Sequence, residues 1–276
     1  MLSDLAKEYE CRVSNDRAWI GFKSTSVLKI CKERKRDSAY IREIQSAIFF
    51  VKLMNVNVIP FAVKIYEHGL SHETKFKRIE VNEKEQMYYI KSSRATMDFT
   101  KFIRDFQNTD HFVSSILFQV AFILYTLHNA IQFVHGDLHS SNVFIQELPE
   151  VRILEYLIGD QKYRIRTRYI ATLYDMQFSS SSLTNTEVLN MRDSRKHDFC
   201  YLLKRISSPG KRGRRLLHHP SSVNFAKKYR KTATYDTQYL ETILTDSYFD
   251  IFKLNDTTAL TTIPYRLCQS LTKVEN

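Results

Sequence analysis

Glycine is scarce in this chain: six among 276 residues, with Gly21 the only one before Gly69. The N-terminal third therefore cannot supply a G-x-G-x-x-G loop, whose backbone N–H groups wrap a phosphate chain closely. Cysteine is also sparse. Cys11, Cys31, Cys200 and Cys268 are scattered without a C-x-x-C pair, which signals neither a zinc site nor a disulfide framework and suits a reducing compartment. The opening residues, MLSDLAKEYE, are acidic and broken, unlike a signal peptide, so an intracellular protein is expected, cytoplasmic or nuclear. From His111 to His135 there is no Asp, Glu, Lys or Arg, a length that could cross a bilayer. Ser115, Gln119 and Thr126 recur near helical spacing opposite Val113, Ile116, Val120, Ile123, Leu124 and Leu127, the pattern of a helix buried in protein. No membrane span is expected.

What is abundant is apolar content and positive charge. At 43% hydrophobic residues the chain can bury a sizeable core as one large domain or two lobes. Forty-one Lys and Arg against thirty Asp and Glu give +11, which points to an acidic partner of some kind.

The long apolar helix runs into F-V-H-G-D-L-H-S-S-N-V-F, residues 133–144. The spacing H-x-D-L-x-x-x-N fixes His135, Asp137, Leu138 and Asn142, and it is the spacing of a phosphoryl-transfer loop. There an aspartate orients, and takes a proton from, the hydroxyl attacking the γ-phosphate of ATP, and an asparagine five residues on holds a metal ion against the phosphates. The plainer alternative is that His135 and Asp137 merely cap the preceding helix.

Upstream, short strands are expected at 10–13, 18–22 and 26–31, the third containing V-L-K-I with Lys29. Lys29 is the candidate contact to the α- and β-phosphates; by itself it would read as a lysine whose stem crosses a sheet edge. F-A-V-K-I-Y offers Lys64 as a competitor, but a polar stretch follows it, whereas an amphipathic helix follows Lys29. That helix, capped by Asp37 or Ser38, carries an apolar stripe of Ile41, Ile44, Ile48 and Val51 through to Met54. Glu43 is its only acid after the cap, either an ion-pair partner for Lys29 or an ordinary surface glutamate. The basic run Lys32, Arg34, Lys35 and Arg36 reads as a solvated connection. Strands at 57–68 and 86–91 and a helix at 98–107 complete the first half, and residues 92–96 read as a hinge.

Downstream, A-T-L-Y-D-M-Q-F-S puts Asp175 after a β-prone run, 33 positions beyond Asn142. The gap reads as an inserted hairpin, about 151–174, around Gly159 and Asp160. Ser179 to Ser182 reads as a flexible turn, and Asp198 either braces the loop at 135–142 through backbone N–H groups or caps a helix. Pro209 to Lys231 holds eight cations and no acid. Residues 236–253 look helical, with Tyr239, Ile243, Leu244 and Phe249 inward.

Together these motifs resemble the protein-kinase-like superfamily over roughly residues 8–208, and look most like its divergent members such as haspin and the kinase-like proteins of large DNA viruses. The resemblance implies an α+β, two-lobed fold: a β-rich N-lobe (1–91) with one helix, the hinge, a shortened mainly helical C-lobe (97–256) and a peripheral tail (257–276). It gives Lys29, Glu43, Asp137, Asn142 and Asp175 the roles named above, with Asn142 and Asp175 as metal ligands and ATP and Mg²⁺ as expected ligands. His139 stands where serine/threonine kinases place a phosphate-contacting lysine. D-F-G is altered at Met176 and Gln177, and no A-P-E follows. The first reading is an ATP- and Mg-dependent serine/threonine protein kinase, with a protein substrate, acidic or nucleic-acid-associated, and the oligomeric state left open. The others are a pseudokinase serving as a binding module, a small-molecule kinase of the aminoglycoside or choline type, and a basic nucleic-acid-binding protein.

Overall fold

The computed structural model describes residues 2–34, 39–106, 109–181, 198–208, 216–231, 237–255, 257–262 and 264–266. The chain falls into two compact units, Met1–Val51 with Val63–Arg94, and Lys52–Ala62 with Ala95–Asn276.

The first unit opens with a short helix α1 (Leu2–Ala6), then strands β1 (Glu10–Ser14), β2 (Ala18–Phe22) and β3 (Ser26–Arg34), and helix α2 (Ala39–Asn55), whose last residues count with the second unit. Strand β4 (Ile65–Ser71), a small hairpin of β5 (Lys75–Phe76) and β6 (Ile79–Glu80), and β7 (Glu85–Ser93) follow. The main sheet has the order β1-β2-β3-β7-β4, antiparallel throughout. Alternation along β3 sorts its side chains by face. Leu28 and Ile30 pack with Leu2, Ala6, Trp19, Phe76, Ile79 and Met87, while Cys31 packs with Ile44 of α2, Tyr88 and Ile90. Lys29 shares the face of Cys31, toward α2. Gly21 is explained by packing: a Cβ there would collide with the Trp19 ring and with Tyr9.

Two expectations change here. The strand expected at 57–68 begins only at Ile65: Asn57 takes a left-handed φ of 59°, the chain turns through 56–60, and 61–64 is irregular. On α2, Ile41 and Ile48 are exposed and the inward residues are Glu43, Ile44, Ser46, Phe49, Phe50 and Leu53. The expected caps Asp37 and Ser38 lie outside the described residues, as do Lys35 and Arg36; the N–H of Tyr40 is taken by the Glu33 carboxylate at 2.8 Å.

The second unit contains β8 (Met97–Asp98), α3 (Phe99–Asp105), α4 (Asp110–Ile131), β9 (Val143–Ile158), β10 (Gln161–Leu173), α5 (Asp198–Ser207), α6 (Pro220–Tyr229), α7 (Thr237–Leu244) and β11 (Tyr265–Arg266). Asp98 caps α3, its carboxylate accepting the Lys101 N–H at 2.7 Å. Among the described residues α4 is the one helix long and apolar enough to cross a membrane. Here it is the buried axis of the unit. Phe118 and Phe122 meet the rings of Tyr156, Tyr163 and Phe249, and the Gln119 amide is stitched to β10 through Tyr169 O (3.0 Å) and the Ala171 N–H (2.9 Å).

β9 and β10 form one long antiparallel hairpin starting directly after Asn142, with its turn at Gly159–Asp160. The strand pair that carries the loop and the extra length expected at 151–174 are thus one continuous element. The 236–253 stretch is broken in two: α7 ends at Leu244, and Asp246 caps a 3-10 helix, Ser247–Phe252. The tail expected to be peripheral is tied down over residues 257–262 and 264–266, because the buried Glu155 carboxylate on β9 takes its hydrogen bonds from Thr261 and Thr262, and β11 pairs with β9.

Candidate active site

In the first unit, the Lys29 ammonium lies 2.8 and 3.0 Å from the two Glu43 oxygens, with the side chains 6% and 4% exposed. The Tyr88 hydroxyl is 3.4 Å from the same carboxylate. An ion pair this buried costs desolvation that a surface pair does not, so its geometry has to be held by the sheet and the helix together. Lys64, the competitor, is exposed. The β1–β2 turn is tight: the Asn15 side chain accepts the N–H groups of Arg17 and Ala18, both at 2.8 Å.

In the second unit, α4 ends on Gln132 in a left-handed conformation, and the chain enters the loop through Val134. The Asp198 carboxylate, fully buried, accepts the N–H of His135 at 2.6 Å and of Gly136 at 3.0 Å. Of the two readings of Asp198, the geometry is that of the brace. Burial pushes its carboxyl up to about 7 while these two donors pull it down. Gly136 has φ +79°, and a Cβ there would sit 2.5 Å from the Phe178 carbonyl oxygen, so both backbone and space demand glycine.

The buried His135 ring donates from Nε2 to Tyr174 O at 2.8 Å, leaving Nδ1 toward the Asp137 N–H at 3.4 Å. Burial holds this imidazole below its usual range, hence neutral, in the tautomer the two bonds require. Asn142 reaches back, its amide donating to Asp137 O at 3.0 Å, and its own carbonyl accepts the Tyr174 N–H at 2.9 Å. Asp137, Asn142 and the residue before Asp175 are thus linked through hydrogen bonds to backbone carbonyls. The charges of Asp175 and Asp137 favour protonation of the His135 ring, against the larger effect of its burial. Asp175 sits at φ 63°, ψ 62°, a left-handed conformation that Asp tolerates better than most residues. The His139 Nδ1 accepts the Ser141 N–H at 3.2 Å, and its Nε2 lies 3.8 Å from the Asp137 carboxylate.

Sequence reasoning left the Asp198 contact open and missed the pairing of Val134 with Ser180, at 2.9 and 2.8 Å in both directions. Ser179, Ser180 and Ser181 are buried and ordered against the loop, correcting the flexible turn expected there; Ser182 and the segment to His197 lie outside the described residues. The one available signal was Gly136 in H-G-D, a glycine where close backbone approach requires it.

A family model described as poxvirus serine/threonine protein kinase matches residues 9–206. No curated protein matches the chain.

Proposed function

Because the chain belongs to the poxvirus serine/threonine protein kinase family, we propose that it is a working ATP- and Mg²⁺-dependent kinase that phosphorylates serine or threonine hydroxyls of a protein substrate. The observation that carries this is the braced loop: Asp198 fixes His135 and Gly136, and Asn142 fixes Asp137. Asp137 is the base, orienting the attacking hydroxyl and accepting its proton. Lys29, held by Glu43, serves the α- and β-phosphates. The donor set of Asn142 and Asp175 fits a hard divalent cation, since the Asn142 amide nitrogen faces Asp137 O and leaves the amide oxygen at its other end. When bound, Mg²⁺ neutralises charge on the phosphates. The chain's own contribution is position: catalysis of this kind rests on holding the hydroxyl, the base and the phosphate acceptor in line.

A second reading, a nucleotide-binding pseudokinase, is favoured by one observation. The Arg17 and Ala18 N–H groups at the β1–β2 turn, which a glycine-rich loop would offer to phosphates, are already taken by Asn15. Radiolabelled ATP turnover on a generic serine/threonine substrate separates the two. Wild type should transfer phosphate and Asp137→Ala should lose about 100-fold or more. Equal transfer by both removes Asp137 from the mechanism. Nucleotide-dependent thermal stabilisation with no turnover selects the pseudokinase.

A further inference from the structure

The segment after the last helical turn lies across the β9–β10 hairpin with no helix or sheet between Leu254 and Thr262 among the described residues. Its anchor is Glu155, which has no exposed surface. Both carboxylate oxygens are occupied: Arg164 approaches at 2.7 Å, Thr261 donates its N–H at 2.8 Å and its hydroxyl at 3.2 Å, and Thr262 donates its N–H at 2.5 Å and its hydroxyl at 2.8 Å. Three further bonds hold carbonyls of the segment: Gln161 to Leu254, Lys162 to Thr258 and Arg164 to Ala259. Beyond them β11 runs parallel to β9, with the Tyr265 and Tyr156 rings 5.4 Å apart. Thr261 and Thr262 are themselves exposed residues. The anchored hairpin is the element that leads from Asn142 to Asp175.

We propose that Thr261 and Thr262 are phosphoacceptor sites of this chain, and that a phosphate on either hydroxyl releases their segment from the hairpin. This rests on the serine/threonine kinase reading above. In the step, the threonine Oγ1 bonds to the γ-phosphorus of ATP and the bond from that phosphorus to the bridging oxygen breaks. ADP leaves with the electron pair, and the hydroxyl proton passes to Asp137 of the copy acting as enzyme. The chemical consequence is local. A hydroxyl that donated to Glu155 becomes a dianion with nothing to donate, placed against a carboxylate that its hydrogen bonds already hold down at about 2 and therefore ionised. Among the described residues Arg164 and Lys162 are cations bonded to this segment. Arg164 is already engaged with Glu155 and Ala259 O, and Lys162 with Thr258 O, so the added charge competes with the bonds that hold the segment.

The test is peptide mapping of the full chain after incubation with ATP and Mg²⁺ beside a generic serine/threonine substrate, followed by hydrogen exchange. Wild type should carry phosphate on Thr261 or Thr262 and Asp137→Ala should not; exchange over 257–262 and at Tyr156 and Leu157 should rise about tenfold or more on phosphorylation. Thr261→Glu with Thr262→Glu should raise the same exchange with no catalysis needed. Phosphate appearing on the generic substrate but on neither threonine overturns the inference while leaving the kinase reading intact. Exchange unchanged or slowed in the phosphorylated chain, as when Arg164 captures the phosphate, also overturns it. If nothing at all is phosphorylated the kinase reading falls, and unchanged exchange in the paired glutamate variant then overturns release on its own.

Discussion

At Asp198 two demands conflict, since full burial raises its carboxyl to about 7 and the brace needs a carboxylate able to accept from both His135 and Gly136. With an unfolded value near 3.8, the folded chain takes up a proton between about pH 4 and pH 7. This group's contribution to stability therefore declines as pH rises through that window and is level above it. The brace behaves oppositely: below about 7 the protonated oxygen stops accepting and the loop loosens. Activity should accordingly fall as pH drops through 7 while the melting temperature does not fall with it on account of Asp198. His135 titrates below its usual range, so it stays neutral through the same limb. Asp198→Asn, which offers one acceptor where two are needed, should cost about 100-fold in kcat through displacement of Asp137 and abolish the limb near pH 7. A variant with wild-type kcat and pH profile would mean that the loop holds itself.

Helix α2 shows why spacing alone misplaces a face. Ile41, Ile44, Ile48 and Val51 form a respectable helical stripe, yet Ile41 and Ile48 face solvent, because the helix is rotated to bury Glu43 with Ile44, Phe50 and Leu53. A glutamate turned inward is legible only when Lys29 is already suspected across from it. In the same way the H-x-D-L-x-x-x-N spacing marked Asp137 and Asn142, but nothing local announced that Ser180 pairs with Val134, or that Glu155 would gather residues more than a hundred positions away. Long-range hydrogen bonds leave no period in the sequence. Removing charge from the buried pair with Glu43→Gln should destabilise the first unit by about 3 kcal/mol, read as a lower urea midpoint at unchanged slope. It should also weaken ATP binding more than it weakens binding of the protein substrate. An unchanged midpoint would mean that Lys29 is held without Glu43.

Over the molecule as a whole the surplus of +11 is unevenly placed. From Phe199 to Lys231 there is no acidic residue at all, and the described cations of that stretch gather at two helix ends. Lys204 and Arg205 close α5, Lys227 and Lys228 close α6, and Arg230 approaches Ser207 at 3.5 Å, bringing the two ends together. Part of this is ordinary: cations at a helix C-terminus offset its dipole, and Lys228 is matched by Asp246. Lys204, Arg205, Lys227 and Lys231 remain exposed. The cations at 211–215 lie outside the described residues. Such a concentration of one sign attracts anionic partners at a range set by ionic strength, about 8 Å at physiological salt and about 3 Å at 1 M. Phe225 and Tyr229 between these cations are buried, so neither offers a ring for stacking bases, which favours an acidic protein segment over single-stranded nucleic acid. On that basis KM for a substrate with an acidic flank should rise about tenfold between low and high salt while KM for a neutral substrate holds. Charge reversal at Lys204, Arg205, Lys227 and Lys231 together should erase the difference at low salt without lowering kcat, since none of the four touches the braced loop. Equal salt dependence for both substrates would put the recognition of charge elsewhere on the chain.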